Sequence, residues 1–509
     1  MTVTAPSFEI PTAQRLAGIR RGIEKEGLRV QPHGALALTP HPQALGSALT
    51  HPLITTDYSE SQLELITGAH LGVQECLDEL QAVHQYVYRS LQAQGEEMMW
   101  AASMPCALPT DETIPLGRYG HSHVGRSKSI YRMGLGHRYG RRMQTISGIH
   151  YNWSLPDVSS AQYFALIRNF RRHAFVLLYL FGASPTLCPC FVEGRTHELQ
   201  PLGSEGQALY LPHATSLRMG RLGYQSDAQA SINASYNGLD GYADSLHEAL
   251  TQPYPAYEAL GIRNPGGDYN QLGTSLLQIE NEFYSTIRPK RTTARGERPL
   301  HALRERGVEY VEVRLMDINP FEPVGISADT MRMLDVFLLH CLLSDSPPDT
   351  PQEIEALKHN QQLTAERGRE PGLHLQRGNE QVLLTTWAHD ILQQCQPLAA
   401  ALDATHQTDA YSSALQAAHD LLAHPELTPS ARVLQATQAH GNSFKAFGLQ
   451  QTRASYKEVL RQPFSKALQN KFAQLSRTSV LAQQEIEKRD SGSSFEEWRL
   501  RYMDSANLS

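Results

Sequence analysis

An α+β fold centred on an antiparallel sheet is what this sequence predicts, and three observations carry the prediction. Several short segments before about residue 345 divide their side chains into one apolar and one polar face. The polar faces are rich in carboxylates, and the last third of the chain turns helical in period. Strands with one apolar and one polar face suit an antiparallel sheet better than the near-continuous apolar runs of a parallel one.

The clearest segment is Val308–Met316. Successive strand residues point to opposite faces, so Val311, Val313 and Leu315 share one side while Tyr310, Glu312 and Arg314 share the other. In Leu276–Ile287, Leu277, Ile279, Phe283 and Ile287 oppose Gln278, Glu280, Glu282 and Tyr284. In Met143–Trp153, Ile149, Tyr151 and Trp153 oppose Gln144, His150 and Asn152. Leu63 and Leu65 oppose Glu64 in Gln62–Ile66, and Glu24 and Glu26 share a face if Arg21–Val30 is extended.

A polar strand face is ordinarily just solvated. Repetition of the pattern with mostly acidic residues points further. Carboxylates gathered on one sheet repel each other and raise their own pKa values unless a cation neutralises them. Carboxylates with one imidazole suit hard divalent metals, and Mg²⁺ in particular keeps substrate phosphates in its shell. The expected centre is a funnel of carboxylates holding Mg²⁺, or Mn²⁺ in its place, for phosphate chemistry.

Composition agrees with an enzyme of this kind. The chain has 509 residues, ample for a large core, and a net charge of −7 with no basic tract, which argues against nucleic-acid or anionic-membrane partners. Met1–Pro6 has neither a cationic region nor an apolar core, and the longest apolar run, Phe175–Phe181, is too short to span a bilayer. A cytoplasmic monomer is expected. Six scattered cysteines do not make a disulfide framework. Cys188 and Cys190 flank a proline without a second pair at ligand spacing, so they are read as inert thiols; His121 and His123 are read as loop residues.

Two regions follow along the chain. Residues 1–345 are expected to carry the catalytic sheet with inserted helices, and 346–509 a mostly helical part packed on it. The polar, Pro-containing stretch Ser344–Pro351 connects them. Beyond it, Leu415, Ala418 and Leu422, and then Leu468, Phe472 and Leu475, make apolar stripes at helical spacing. The tail after Arg489 reads as loosely ordered and removable, with Phe495 and Trp498 as its only anchors.

Familiar phosphate and hydrolase signatures are excluded on context. Gly120–Ser127 approaches a P-loop, but Arg126 stands at the Lys position and no buried strand precedes it. Arg126, Lys128 and Arg132 remain candidate clamps on phosphate oxygens. Neither a dinucleotide fingerprint, a nucleophile elbow nor a zinc-protease helix is present.

The segments Gly22–Arg29, Thr55–Tyr58 through Glu64, Met143–Asn152, Phe181–Pro185, Thr215–Arg218, Ile287–Arg291 and Glu309–Pro320 together resemble the proteobacterial type of glutamate–cysteine ligase. The resemblance runs over roughly residues 15 to 350 and continues more weakly through Leu427–Arg432. It implies a glutamine synthetase-like sheet curved into a funnel and flanked by helices. It implies ATP-dependent joining of the glutamate γ-carboxylate to the amine of cysteine through γ-glutamyl phosphate, the first step toward glutathione. Carried across residue by residue, it makes Glu24, Glu26, Asp57, Glu64, His150 and Glu312 the metal ligands. Arg132 and Arg314 become the clamps on the transferring phosphoryl group. Tyr58, Tyr131, Leu135, Gln144, Arg218, Tyr224 and Tyr284 become the cysteine pocket, with Arg218 the partner of its carboxylate. A glycine-containing cover is expected around Gly134–Gly140, and no second ATP-dependent domain that would complete glutathione. Two alternatives stay open: a related ligase that uses another amine, and a non-catalytic nucleotide or metal sensor.

Overall fold

The computed structural model describes residues 9–508 except 94, 224–226, 231, 233 and 295. Seven strands form the central sheet: β1 (Arg20–Val30), β2 (Ile54–Thr56), β3 (Gln62–Ile66), β4 (Met98–Met99), β5 (Gly148–Ser154), β6 (Ile287–Lys290) and β7 (Tyr310–Asp317). Their order is β2-β3-β1-β5-β7-β6, every pair is antiparallel, and β4 pairs with the end of β1. The expected antiparallel α+β architecture is what the chain adopts.

The apolar face of the sheet is the core. Ile23, Leu65, Ile149, Tyr151, Trp153, Val311 and Val313 are buried there. Helices α1 (Val73–Gln92), α3 (Ser160–Phe181) and α4 (Ala328–Leu343) pack behind them, while α2 (His123–Tyr139) lies before β5 in the chain. Two polar residues of β1 also face this way. Arg21 forms a fully buried ion pair with Asp335 of α4 at 3.1 Å, and Tyr151 donates to the same carboxylate at 2.8 Å. Lys25 meets His84 of α1 at 3.0 Å. Every second residue of β1 therefore goes into the back layer, which leaves Glu24 and Glu26 on the front.

Beyond residue 345 the chain forms α5 (Pro351–Arg367), a two-stranded hairpin, α6 (Leu384–His406) and further helices, several of which pack on α3 and α4.

Three expectations give way. Leu276–Ile287 is not a strand: Glu280–Glu282 is a single 3₁₀ turn, and pairing starts only at Ile287. Its alternating carboxylates are held by arginines instead, Glu280 by Arg298 and Glu282 by Arg138, both pairs buried at 2.9 Å. Gly134 and Gly136 are not a covering loop but lie inside α2, whose Ser122 cap accepts from the Gly125 amide. The tail is not loose. Helix α7 (Phe495–Tyr502) buries Phe495 and stacks Trp498 on His123, and Arg499 donates to the Leu272 carbonyl at 2.7 Å.

Candidate active site

Register alone assembles the acidic cluster. On the front face Glu24 stands opposite His150, Glu26 opposite Glu64, and Glu312 opposite both Asn152 and Arg288. The side chains converge accordingly. His150 Nδ1 lies 3.2 Å from Glu24 and 3.9 Å from Glu312, and its Nε2 lies 3.7 Å from Glu26. Ligand atoms of Glu24, His150 and Glu312 fall within 4.8 Å of one another. Asp57, just past β2, is near enough to Glu26 and Glu64 to push both carboxyls up.

Charge is distributed unevenly over this cluster. Burial and then the Asp57 carboxylate drive Glu26 up to about 8. Burial, then Glu24 and Asp57, drives Glu64 well above its ordinary value. Glu312 is buried too, yet Lys290 and Arg314 hold it well below the usual carboxylate range. Lys290 Nζ and Arg314 Nη1 each contact it at 3.1 Å. Burial likewise opposes ionisation of Glu24, but its hydrogen bond with His150 together with the charges of His150 and Lys290 holds its carboxyl below the ordinary value. One side of the cluster is thus ionised and paired with cations; the other carries acids whose burial and mutual repulsion call for more positive charge than Arg218, Arg314 and Lys128 bring. A divalent cation bound by oxygen and one imidazole would supply that charge, so the residues fit Mg²⁺ or Mn²⁺.

A bulge shapes the cationic edge. Register shifts between Val313 and Met316 of β7 as they pass Tyr151 and Ile149 of β5. Such an insertion bends a strand and re-aims its side chains. Here the Arg314 carbonyl accepts from Arg218 Nη2 at 2.8 Å. Arg218 itself is almost wholly buried and lies 3.7 Å from Asp317, whose carboxylate accepts from the Ala183 amide and from the hydroxyls of Ser184 and Ser216. Its guanidinium fills the space where a side chain at Gly148 would sit.

The other expected residues group around α2. Arg132 donates from Nε to the Asp57 carbonyl and from Nη1 to the Lys128 carbonyl at 2.9 Å, and it lies over the Tyr119 ring. Tyr131 and Leu135 project from the same helix; the Tyr131 carbonyl accepts from Gln278 at 3.3 Å, and Leu135 is buried. Gln144 donates to the Tyr284 hydroxyl at 2.7 Å. Tyr58 is buried, and its hydroxyl has no hydrogen-bond partner among the described residues. Tyr224 lies outside the described residues. A cavity of about 650 Å³ adjoins the site, lined by Arg218, Tyr284, Thr286 and Arg314 on the sheet side and by Ile354 and Lys358 of α5 on the other.

Several residues of the site were missed by sequence reasoning. Asn152 donates to Glu24 at 2.9 Å, and Lys290 and Arg288 both face Glu312. Their alternation on β5 and β6 was the available signal. Asp317 gave none, because its role depends on Arg218 crossing from another segment. Cys188 and Cys190 lie 3.0 Å apart at their sulfurs, and Cys106 packs into the same apolar cluster.

Comparison with known proteins gives the chain's family. Residues 8–364 match the family model described as glutamate-cysteine ligase. A glutamate–cysteine ligase of Azotobacter vinelandii is 49% identical over 493 residues, 93% of this chain and 92% of its own length. One from Saccharophagus degradans is 44% identical over 514 residues, 97% of this chain and 96% of its own. The crystal structure of the Francisella tularensis glutamate–cysteine ligase in complex with AMP superposes with a TM-score of 0.90 at 34% identity, covering 98% of this chain and 99% of that one. A bifunctional glutathione synthetase from Pasteurella multocida superposes at 0.69 and 25% identity, covering 91% of this chain and 57% of that one. With a family match over more than half its length and close relatives along nearly all of it, the chain belongs to the glutamate–cysteine ligase family.

Proposed function

We propose that this chain uses ATP to phosphorylate the γ-carboxylate of L-glutamate and lets the amine of L-cysteine displace the phosphate, giving γ-glutamylcysteine. The observation that carries the reading is the convergence of Glu24, His150 and Glu312 on one sheet face beside Arg314. Glu24, Glu26, Asp57, Glu64, His150 and Glu312 would hold Mg²⁺ or Mn²⁺. The ion, when bound, neutralises phosphate charge so that an anionic carboxylate can approach a triphosphate.

The remaining work falls to side chains. Arg314 is assigned to the transferring phosphoryl oxygens, and its contacts with Arg218 at the carbonyl and Glu312 at the guanidinium support that role. Arg132 is assigned the same role from α2, and Lys290 keeps Glu312 ionised from the side. Arg218 receives the cysteine carboxylate. The pocket of Tyr58, Tyr131, Leu135, Gln144, Tyr224 and Tyr284 takes its small side chain, and the partnerless Tyr58 hydroxyl supports that assignment. Excluding water protects the acyl phosphate until the amine arrives. Among the described residues no helix is long and apolar enough to cross a membrane; a cytoplasmic monomer that needs no nucleic-acid or membrane partner completes the reading.

The test is ADP release with Mg²⁺, ATP and glutamate, with and without cysteine, and the product identified by mass. Cysteine-dependent release of ADP with γ-glutamylcysteine is expected. Release that depends on a different amine would reassign the acceptor, and absence of turnover with any amine would overturn the ligase reading.

A further inference from the structure

Behind the sheet a second group of donors meets where three helices pack. His173 comes from α3, His340 and Cys341 from α4, and ligand atoms of the three lie within 4.8 Å of one another. The two imidazoles are in ring contact, centroids 5.6 Å apart. Three further facts make this more than filler. The His173 Nδ1 atom is buried without a hydrogen-bond partner among the described residues. Leaving a polar nitrogen so placed is destabilising, and a phenylalanine in the same space would avoid it. His340 Nε2 lies 3.0 Å from Gln394 Oε1 of α6, an acceptor that fixes the tautomer and makes Nδ1 the basic nitrogen. Cys395, next to Gln394, lies close enough to Cys341 for their thiols to repel on ionisation.

We propose that His173, His340 and Cys341 form a structural site for a divalent ion of the zinc type, with the Gln394 carbonyl oxygen holding the His340 ring in place. Two imidazoles and a thiolate select a borderline, tetrahedral ion over Mg²⁺, which wants oxygen. Donor atoms around such an ion stand within about 4 Å of each other, so small side-chain rotations close the site. Binding replaces the Cys341 proton with the ion and ties α3, which packs behind β7 and β6, to α4, whose Asp335 holds Arg21 of β1 and Tyr151 of β5. The fourth position is left to water.

The probe is Co²⁺, titrated into the full-length protein after chelation and reduction. The carboxylate site of Glu24, His150 and Glu312 offers no sulfur, so a sulfur-to-cobalt charge-transfer band reports a cysteine ligand. One equivalent of such a band is expected in the wild type. It should vanish in Cys341→Ser and in His173→Phe and persist in a Cys106→Ser, Cys188→Ser, Cys190→Ser triple variant. Absence of the band, or its survival in Cys341→Ser, overturns the site. Should a variant fail to fold, X-ray absorption on the zinc-loaded wild type decides: a shell with sulfur at about 2.3 Å and nitrogen at about 2.0 Å supports it, and an oxygen-only shell refutes it.

Discussion

Arg218 Nη2 donates to the main-chain carbonyl of Arg314 at 2.8 Å, so the arginine assigned to the amino-acid carboxylate and the one assigned to the phosphoryl group share a backbone link. The bulge in β7 makes the link possible, and Asp317 on the far side of the bulge lies 3.7 Å from the same guanidinium. One local distortion of one strand thereby positions both arginines relative to each other.

Arg218→Lys keeps the charge beside Asp317 but cannot also reach the Arg314 carbonyl with the same planar fork. Its expected effect is a rise in KM for cysteine of about 10- to 100-fold, or ~1.4–2.7 kcal/mol, with KM for ATP little changed. Steady-state kinetics with each substrate varied in turn check this. A defect confined to ATP would remove Arg218 from the cysteine site.

Glu312→Gln leaves Lys290, Arg314 and Arg288 facing a neutral amide where they faced a carboxylate. Three cations without their partner repel one another, and the proposed metal site loses a ligand. Turnover should fall by about 100-fold or more, ~2.7 kcal/mol in barrier height. The fold should persist, because Val311 and Val313 still fill the back of β7. Activity near wild type would remove Glu312 from the site.

How much of this was legible beforehand follows the range of each interaction. Glu24 and Glu26 on β1, or Glu312 and Arg314 on β7, share a face by spacing alone, and that periodicity is local. The Glu280–Glu282 turn imitated the same alternation, because carboxylates bound by Arg298 and Arg138 look in sequence like carboxylates on a strand face. The grip of Arg499 on the Leu272 carbonyl spans 227 residues, so no local pattern announces it.

The tail accordingly matters. Ending the chain at residue 489 removes the buried Phe495 and Leu508, the Arg499 bond to Leu272 and the Tyr502 carbonyl that Arg298 uses at 2.9 Å. Two buried apolar side chains alone are worth about 3–6 kcal/mol. A clear fall in Tm and in soluble yield is expected by scanning fluorimetry; an unchanged melting curve would show the tail to be dispensable.

Acid stability should depend on His51. Its Nδ1 accepts from the Leu53 and Ile54 amides at 3.1 and 3.0 Å, and burial holds its pKa down at about 4. The unfolded chain therefore takes up this proton near pH 6.5 while the folded one resists to about pH 4. Stability from this group is full above pH 6.5 and declines as pH falls toward 4, by up to about 3 kcal/mol. His51→Asn offers an acceptor that does not titrate, so urea melts at pH 7 and pH 5 should differ less than in the wild type. An equal difference would assign the acid loss to other groups.

Gly134 sets two effects against each other. Alanine is the better helix former by about 1 kcal/mol, which by itself would stabilise α2. A Cβ there would stand 2.6 Å from Gln278 Nε2 and 2.7 Å from its Cδ. That side chain cannot swing away cheaply: it is fully buried, its Oε1 accepts from the Leu272 amide at 2.9 Å, and its Nε2 donates to the Tyr131 carbonyl at 3.3 Å. Overpacking of this kind costs about 1–3 kcal/mol, so the clash wins. Relief comes by moving α2 off Gln278, which carries Tyr131 and Leu135 with it. Gly134→Ala should therefore lower Tm modestly and raise KM for cysteine more than KM for glutamate. A variant that gains stability with unchanged KM values would show that α2 has room at this point and that its glycine does not position the pocket.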